Sequence, residues 1–200
     1  MVASVSGKIV RTRFSRTDWL DAGLRQLAAH GPEGLKLQSL CASQKRTTGS
    51  FYYHFRDHAA FVDALMGHWQ RVHTDDLILA VADIADDADR AAQLNTLTKT
   101  LDHRVEVAVR LFAFQHAGVR ARLAEIDGKR IAYVADLYTA TAGLPPDEAM
   151  GVARLEYAAL VGAEMLVQSG TVDDMDGVES TFVTLLANWI EGRGTDGSTD

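Results

Sequence analysis

The sequence predicts an all-α fold of about nine helices, a three-helix N-terminal unit of helix-turn-helix outline joined to a larger helical bundle. Three observations predict it. Apolar residues recur at three- and four-residue steps along most of the chain, alternating apolar–polar runs are nearly absent, and 200 residues contain only three prolines. The first helix is expected over residues 15–30, where Leu20, Leu24, Leu27 and Ala28 line one face and Gly31-Pro32 stops it. A short helix follows over 37–43. Another begins at Thr47 and sets Phe51 and Phe55 one turn apart. Asp57 is placed to cap a longer helix that contains Phe61, Leu65 and Trp69 and continues towards Asp83. The two short, closely joined helices give the helix-turn-helix outline over 37–55, within a unit of residues 14–72.

A body of residues 73–192 is expected to hold helices over 88–103, 105–115, 119–141, 147–169 and 178–191. Gly143-Leu144-Pro145-Pro146-Asp147 is a break followed by a start, with Pro146 suited to the first turn and Asp147 to its positive dipole end. No period of 20 to 50 residues repeats, which disfavours a solenoid. Residues 193–200 hold no core-forming side chain and are expected to be a disordered tail.

Composition excludes several classes. Apolar residues make up 47% and charged residues 24%, ordinary globular values that argue against wholesale disorder. Cys41 is the only cysteine, so neither a disulfide framework nor a Cys-rich metal site is available. The apolar stretch near Tyr157 to Ala163 is ended by Glu164, far short of the roughly 18 residues that span a bilayer. The N-terminus is basic without an apolar run, unlike a secretory signal. A soluble, cytoplasmic protein is expected. The net charge of −7 conceals an asymmetry: residues 1–72 hold ten Lys and Arg against five acids, and the remainder ten against twenty-two. Such segregation suits a front half that meets a polyanion.

The informative segment is Lys36 to Phe55. At 100° per residue, Phe51 and Phe55 fall on one side of the second short helix, towards Leu37 and Leu40. Gly49, Ser50 and Tyr53 point the other way, with Tyr52 and His54 on the flanks. That outward face has no charge; it offers hydroxyls, an imidazole and one glycine, which let a backbone approach a groove and take phosphate oxygens. Thr47 is a natural N-cap for the N–H near Ser50.

Residues from about Arg16 to Leu65 resemble the DNA-binding domain of TetR-type transcriptional regulators. The resemblance rests on Ala22-Gly23-Leu24, His30-Gly31-Pro32-Glu33-Gly34-Leu35, Leu40 with Ala42, Thr47-Thr48-Gly49-Ser50-Phe51-Tyr52-Tyr53-His54-Phe55, and Ala60 to Leu65. Arg110, Asp127 to Tyr133, and Leu155 to Leu166 are more weakly similar to the family's C-terminal domains. The family usually has apolar–glycine–apolar in the turn, where this chain has Gln44-Lys45-Arg46. A left-handed residue other than glycine costs roughly 1 kcal/mol. A looser or differently shaped turn is therefore expected, while Lys45 and Arg46 bring charges for phosphate contact. His58 stands where the family often has a phosphate-binding lysine, which implies weaker or more pH-dependent DNA affinity.

The resemblance implies DNA contacts at Lys36, Gln38, Thr47, Thr48, Gly49, Ser50, Tyr52, Tyr53 and His54, joined by Lys45, Arg46 and His58. His54 lies on a flank that serves equally for packing against the first helix. The helix beginning at Thr47 carries no Arg, Asn or Gln for a bidentate base contact, so phosphate contacts and groove shape should dominate. The basic arm of residues 1–13, with Lys8, Arg11 and Arg13, either enters a minor groove or remains a solvated tail.

Two apolar stripes recur near the C-terminus: Val152, Leu155, Ala159, Gly162 and Leu166, then Phe182, Leu186 and Trp189. They are expected to form a homodimer interface, with filling of the monomer core as the alternative. Trp69, His73, Phe112, His116, Tyr133 and Tyr157 are candidate effector-pocket residues, as are His103, Phe114 and Tyr138, though each also suits an ordinary core.

The other signals carry less. Gly192 to Gly197 matches a dinucleotide pattern by letter but follows a helix rather than a strand. The groups Asp83, Asp86, Asp87, Asp89 and Asp173, Asp174, Asp176 lack calcium-loop spacing, and the histidines form no HExxH pair. No cofactor, metal, membrane partner or catalytic constellation is expected. The implied function is a dimeric repressor of a palindromic DNA operator, released by a small-molecule effector. The competing reading is a small-molecule binding or protein-interaction module of the same fold with weakened or lost DNA binding.

Overall fold

In the computed structural model, which describes residues 14–196, Ser15 opens the first helix with a reciprocal cap. Its hydroxyl accepts the Asp18 N–H at 3.1 Å while the Asp18 carboxylate accepts the Ser15 N–H at 2.7 Å. Helix α1, Arg16–His30, buries Trp19, Leu20, Ala22, Gly23, Leu24 and Leu27. Gly31, at a φ of 63°, ends it and leads through a 3₁₀ turn, Gly31–Leu35, into α2, Leu37–Ser43. Helix α3, Thr48–Tyr52, follows, with Thr47 accepting the Ser50 N–H at 3.3 Å as expected.

The turn between α2 and α3 is neither open nor irregular. Lys45 adopts a φ of 52°, donates to the Ala42 carbonyl at 3.1 Å, and is followed by an Arg46 N–H bond to Cys41 at 2.9 Å. These two bonds are the Schellman closure, made here with lysine in the left-handed place. The guanidinium of Arg46 lies 4.9 Å over the Phe14 ring, so the stem of a polar residue covers ground an apolar one would fill.

Helix α4 runs without a break over 58–81: His58–Gln70, a π turn at Arg71–Asp75, then Asp76–Val81. Asp57 caps it through the Ala60 N–H at 2.7 Å. The remaining helices are α5, Asp87–Lys99; α6, His103–Gln115; α7, Ala117–Ala142; α8, Pro146–Gln168; and α9, Asp176–Asp196. Counting α4 once, this makes nine α-helices and no strand among the described residues. None is long and apolar enough to cross a membrane.

Some boundaries differ from expectation for local reasons. The helix expected over 88–103 ends at Lys99, because Asp102 turns its carboxylate to the Arg104 N–H at 3.1 Å and starts α6 there. The last helix reaches Asp196, so residues 193–196 are helical rather than part of a disordered tail. The rest of that tail, 197–200, and the arm of residues 1–13 with Lys8, Arg11 and Arg13 lie outside the described residues.

One apolar core joins the three-helix head to α6 and the start of α7. It runs from Trp19, Leu27, Leu40, Phe51 and Phe61 through Trp69 to Val109, Phe112 and Ile126. Gly23 and Gly34 are dictated by close approach: an added Cβ would sit 2.8 Å from Leu65 and Phe61 at the first, and 2.3 Å from the Gln26 carbonyl oxygen at the second. Cys41 belongs to this core, and burial pushes its thiol pKa up, away from the reactive thiolate. A smaller cluster around Ala135, Leu144, Ala149 and Ala153 holds α7 against α8 at the far end.

Candidate functional site

The head presents an exposed polar surface along α3 and the turn before it. Phe51 is fully buried in a nest of rings from Trp19, Phe55 and Phe61, at centroid distances of 5.1 to 5.4 Å. Because successive side chains rotate by 100°, that anchorage turns Tyr52 and Tyr53 outward, 53% and 64% exposed. Gln38, Lys45, Arg46, Thr47, Thr48 and Gly49 are exposed beside them, with Ser50 half-buried. Gly49 is not required by the chain itself: its φ is ordinary, and an added Cβ would meet only the Thr47 hydroxyl at 3.9 Å.

Three expected contacts have partners within the chain. Lys36 pairs with Glu33. The Nε2 of His54 lies 3.0 Å from the Phe14 carbonyl oxygen, fastening the entry of the chain to the end of α3 instead of facing outward. The Nε2 of His58 lies 2.8 Å from the Leu35 carbonyl oxygen, although the rest of its ring is exposed.

Beneath the head a buried polar network begins at the π turn. A π turn shifts the hydrogen-bond register and leaves a carbonyl to be satisfied from elsewhere. Here Arg130 of α7 donates to the His73 carbonyl at 3.0 Å and to the Thr74 hydroxyl at 2.8 Å. Its guanidinium also reaches both Glu106 oxygens, at 3.0 and 3.2 Å, and lies 4.9 Å over the Trp69 ring. Glu106, 3% exposed, accepts further bonds from Trp69 Nε1 at 3.0 Å and from His73 Nδ1 at 2.9 Å. Burial alone would raise the Glu106 pKa, but His73 and Arg130 outweigh it and hold the carboxyl at about 2. Arg110 and the Tyr157 hydroxyl both bind Asp127, Arg110 at 2.8 Å and Tyr157 at 2.7 Å. Burial pushes the Tyr157 phenol up to about 12.

Past this network lies a cavity of about 350 Å³ walled by α5, α7, α8 and α9. A smaller one of about 100 Å³ adjoins it on the α4 and α6 side and shares Leu94, Thr98, His103, Val134, Tyr157 and Leu160 with it. The larger cavity is mostly aliphatic and aromatic, with Tyr138, Tyr157 and Phe182 in its walls. Glu164 hydrogen-bonds His103 Nδ1 at 2.8 Å and holds that imidazole above the ordinary histidine value, against the effect of burial. The other ring nitrogen of His103 is buried and has no partner among the described residues.

Of the expected pocket residues, His73, Tyr133 and Tyr157 line these cavities, and so do His103 and Tyr138. Trp69, Phe112 and His116 do not. Trp69 is fully buried under Arg130, Phe112 sits in the main core with the His116 ring 5.1 Å away, and Phe114 is 74% exposed. Glu106, Arg130 and Glu156 were missed. The signal that finds them is an ionisable residue inside the apolar stripe of a helix, a pattern that Glu164 shares.

The expected dimer stripes divide. Leu155, Leu166 and Trp189 remain exposed, joined by Met165 and Leu185, while Gly162 and Leu186 are half-buried. Val152 packs on the small cluster with Ile190, and Ala159 and Phe182 turn into the cavity wall, so these three serve the monomer's interior.

Neither protein-family models nor curated proteins match the sequence. Among solved structures, the fold is similar to that of a candidate transcriptional regulator from Saccharomonospora viridis in complex with choline. The TM-score is 0.72 at 14% identity, over 86% of this chain and 95% of that one.

Proposed function

We propose that the chain is a TetR-type transcriptional regulator, a repressor that binds a palindromic operator as a homodimer and is released by a small molecule. The observation that carries this reading is the outer face of α3. Its two tyrosines are turned out by the buried Phe51, and its glycine answers no demand of the chain's own packing. A glycine kept on an exposed helix, at a propensity cost of roughly 1 kcal/mol against alanine, fits close approach by an outside backbone. A single head places few groups on a duplex, so two heads on two half-sites are the physical expectation.

The cavity supports the effector. The similar Saccharomonospora viridis protein was solved with choline, a small molecule. Helix α4 connects the two functions: His58 lies at the head, and Leu77 and Ile78 line the smaller cavity. An effector releases DNA only through its greater affinity for the non-binding arrangement of this rod.

The test is retention on a DNA fragment containing the sequence upstream of its own gene, across salt. With 6 to 10 phosphate contacts, affinity should fall by roughly 10³–10⁵ between 50 and 200 mM salt. Gly49→Ala should keep or raise thermal stability and abolish retention. Phe51→Ala should lose roughly 3–5 kcal/mol of stability. A second reading, a binding module without DNA affinity, is favoured by the internal commitments of Lys36, His54 and His58. No retention at 50 mM salt would select it.

A further inference from the structure

Among the described residues, the larger cavity has one carboxyl group on its wall with no cationic partner, that of Glu156. The basic groups on its walls already have acidic partners: Lys99 with Glu179 at 2.8 Å, and His103 with Glu164 at 2.8 Å. The Glu156 carboxylate accepts one hydrogen bond, from the Tyr138 hydroxyl at 2.7 Å, and no cationic side chain lies within ion-pair distance among the described residues. A tyrosine hydroxyl supplies a dipole, not a charge, and for the half-buried Glu156 a carboxylate partly withdrawn from water without a counter-charge is penalised. Burial, with a smaller push from Glu179, raises the Glu156 pKa above the ordinary glutamate value, and the Tyr138 bond opposes them. The rings of Tyr138 and Phe182 line the same cavity, and ring faces attract a positive charge.

Resting on the regulator reading for its physiological meaning, but not for its chemistry, we infer that this cavity binds an organic ammonium ion with apolar substituents, its charge set against Glu156 and its carbon bulk against the aromatic and aliphatic walls. A neutral ligand of the same shape leaves the Glu156 penalty in place. An anion adds a second negative charge beside it. The cation alone removes the penalty, and quaternary or tertiary nitrogen suits ring faces better than a small hydrated ammonium does. A volume of about 350 Å³ accommodates such an ion but excludes a macromolecular partner.

The experiment is calorimetric titration of the full chain with choline, tetraethylammonium and benzyltrimethylammonium. Each is compared with neutral 3,3-dimethylbutan-1-ol, the carbon isostere of choline, and with anionic 3,3-dimethylbutanoate. At least one cation should bind ten or more times tighter than the neutral and anionic probes. Glu156→Gln should erase that preference and leave the alcohol's affinity unchanged. Phe182→Leu, a milder change, should weaken the cation several-fold, which keeps the test decisive if the first variant folds poorly. Absence of binding by all three cations, equal binding of choline and the alcohol, or a preference that survives in both variants overturns the inference. The same preparations are tested for DNA retention. Cation binding without retention removes the regulator reading and leaves the ligand class standing; retention without cation binding does the reverse.

Discussion

With a φ of 52°, the Lys45 backbone sits where a Cβ crowds the following carbonyl, at a cost of about 1–2 kcal/mol for any residue but glycine. The chain accepts that cost while keeping the Schellman closure intact, so the turn itself needs nothing that lysine provides. Lys45→Gly should therefore raise stability by about 1 kcal/mol, or about 2–4 °C in a chain of this length, by calorimetry. If the lysine is held for phosphate, the same variant should bind operator more weakly, with a log–log salt slope shallower by about 1 per head. His58 yields a second test at this scale. The Leu35 carbonyl can only accept, so the Nε2 facing it at 2.8 Å carries the hydrogen and is committed within the chain. His58→Lys replaces that ring by a flexible ammonium, and operator affinity measured by fluorescence anisotropy at fixed salt should rise several-fold. Equal affinities for the two proteins would reject the contact.

The helices best anticipated from sequence are those set by local rules. Gly31-Pro32, Asp57, and Gly143 with Pro146 mark their ends because caps and stops act over three or four residues. The outward tyrosines were legible for the same reason, since Phe51 and Phe55 fix the inner face of one short helix. The cavity was not legible. Its walls come from α5, α7, α8 and α9, and α5 buries no residue at all, so its sequence gives no sign of what it faces. The π turn in α4 was equally hidden, since what satisfies it is Arg130, more than fifty residues away. That partnership makes a prediction for the element. Glu106→Gln leaves the Arg130 guanidinium buried without its counter-charge, which should cost about 3–5 kcal/mol and lower the melting temperature by roughly 6–20 °C at pH 7. The folded-state pKa of Glu106, about 2, lies below the ordinary glutamate value of 4.5, so its contribution is complete above pH 4.5 and lost as the pH falls to 2. The stability gap between wild type and variant, from urea titrations, should close across that window; a gap constant with pH would contradict the pairing.

For the molecule as a whole, the exposed apolar residues of α8 and α9 are the surface left over once the core and the cavity are filled. Leu155 and Leu166 lie eleven residues apart, three turns, and so share one side of α8 at 63% and 42% exposure. Light scattering after gel filtration should give twice the 21.8 kDa chain mass for wild type. Leu155→Asp with Leu166→Asp should elute as a single folded chain with unchanged helicity, and a dimer that persists would place the interface elsewhere. The uninterrupted run of α4 has a mechanical meaning for such a pair. At about 1.5 Å per residue it is a strut of about 36 Å, with one end under the head and the other against the smaller cavity. Pivoting it by about 5° at the cavity end carries the far end through about 3 Å. Two struts swinging apart would change the reach of the pair by about 6 Å, nearly two base-pair steps of about 3.4 Å, so a displacement too small to disturb the core would suffice to take both heads out of step with a duplex.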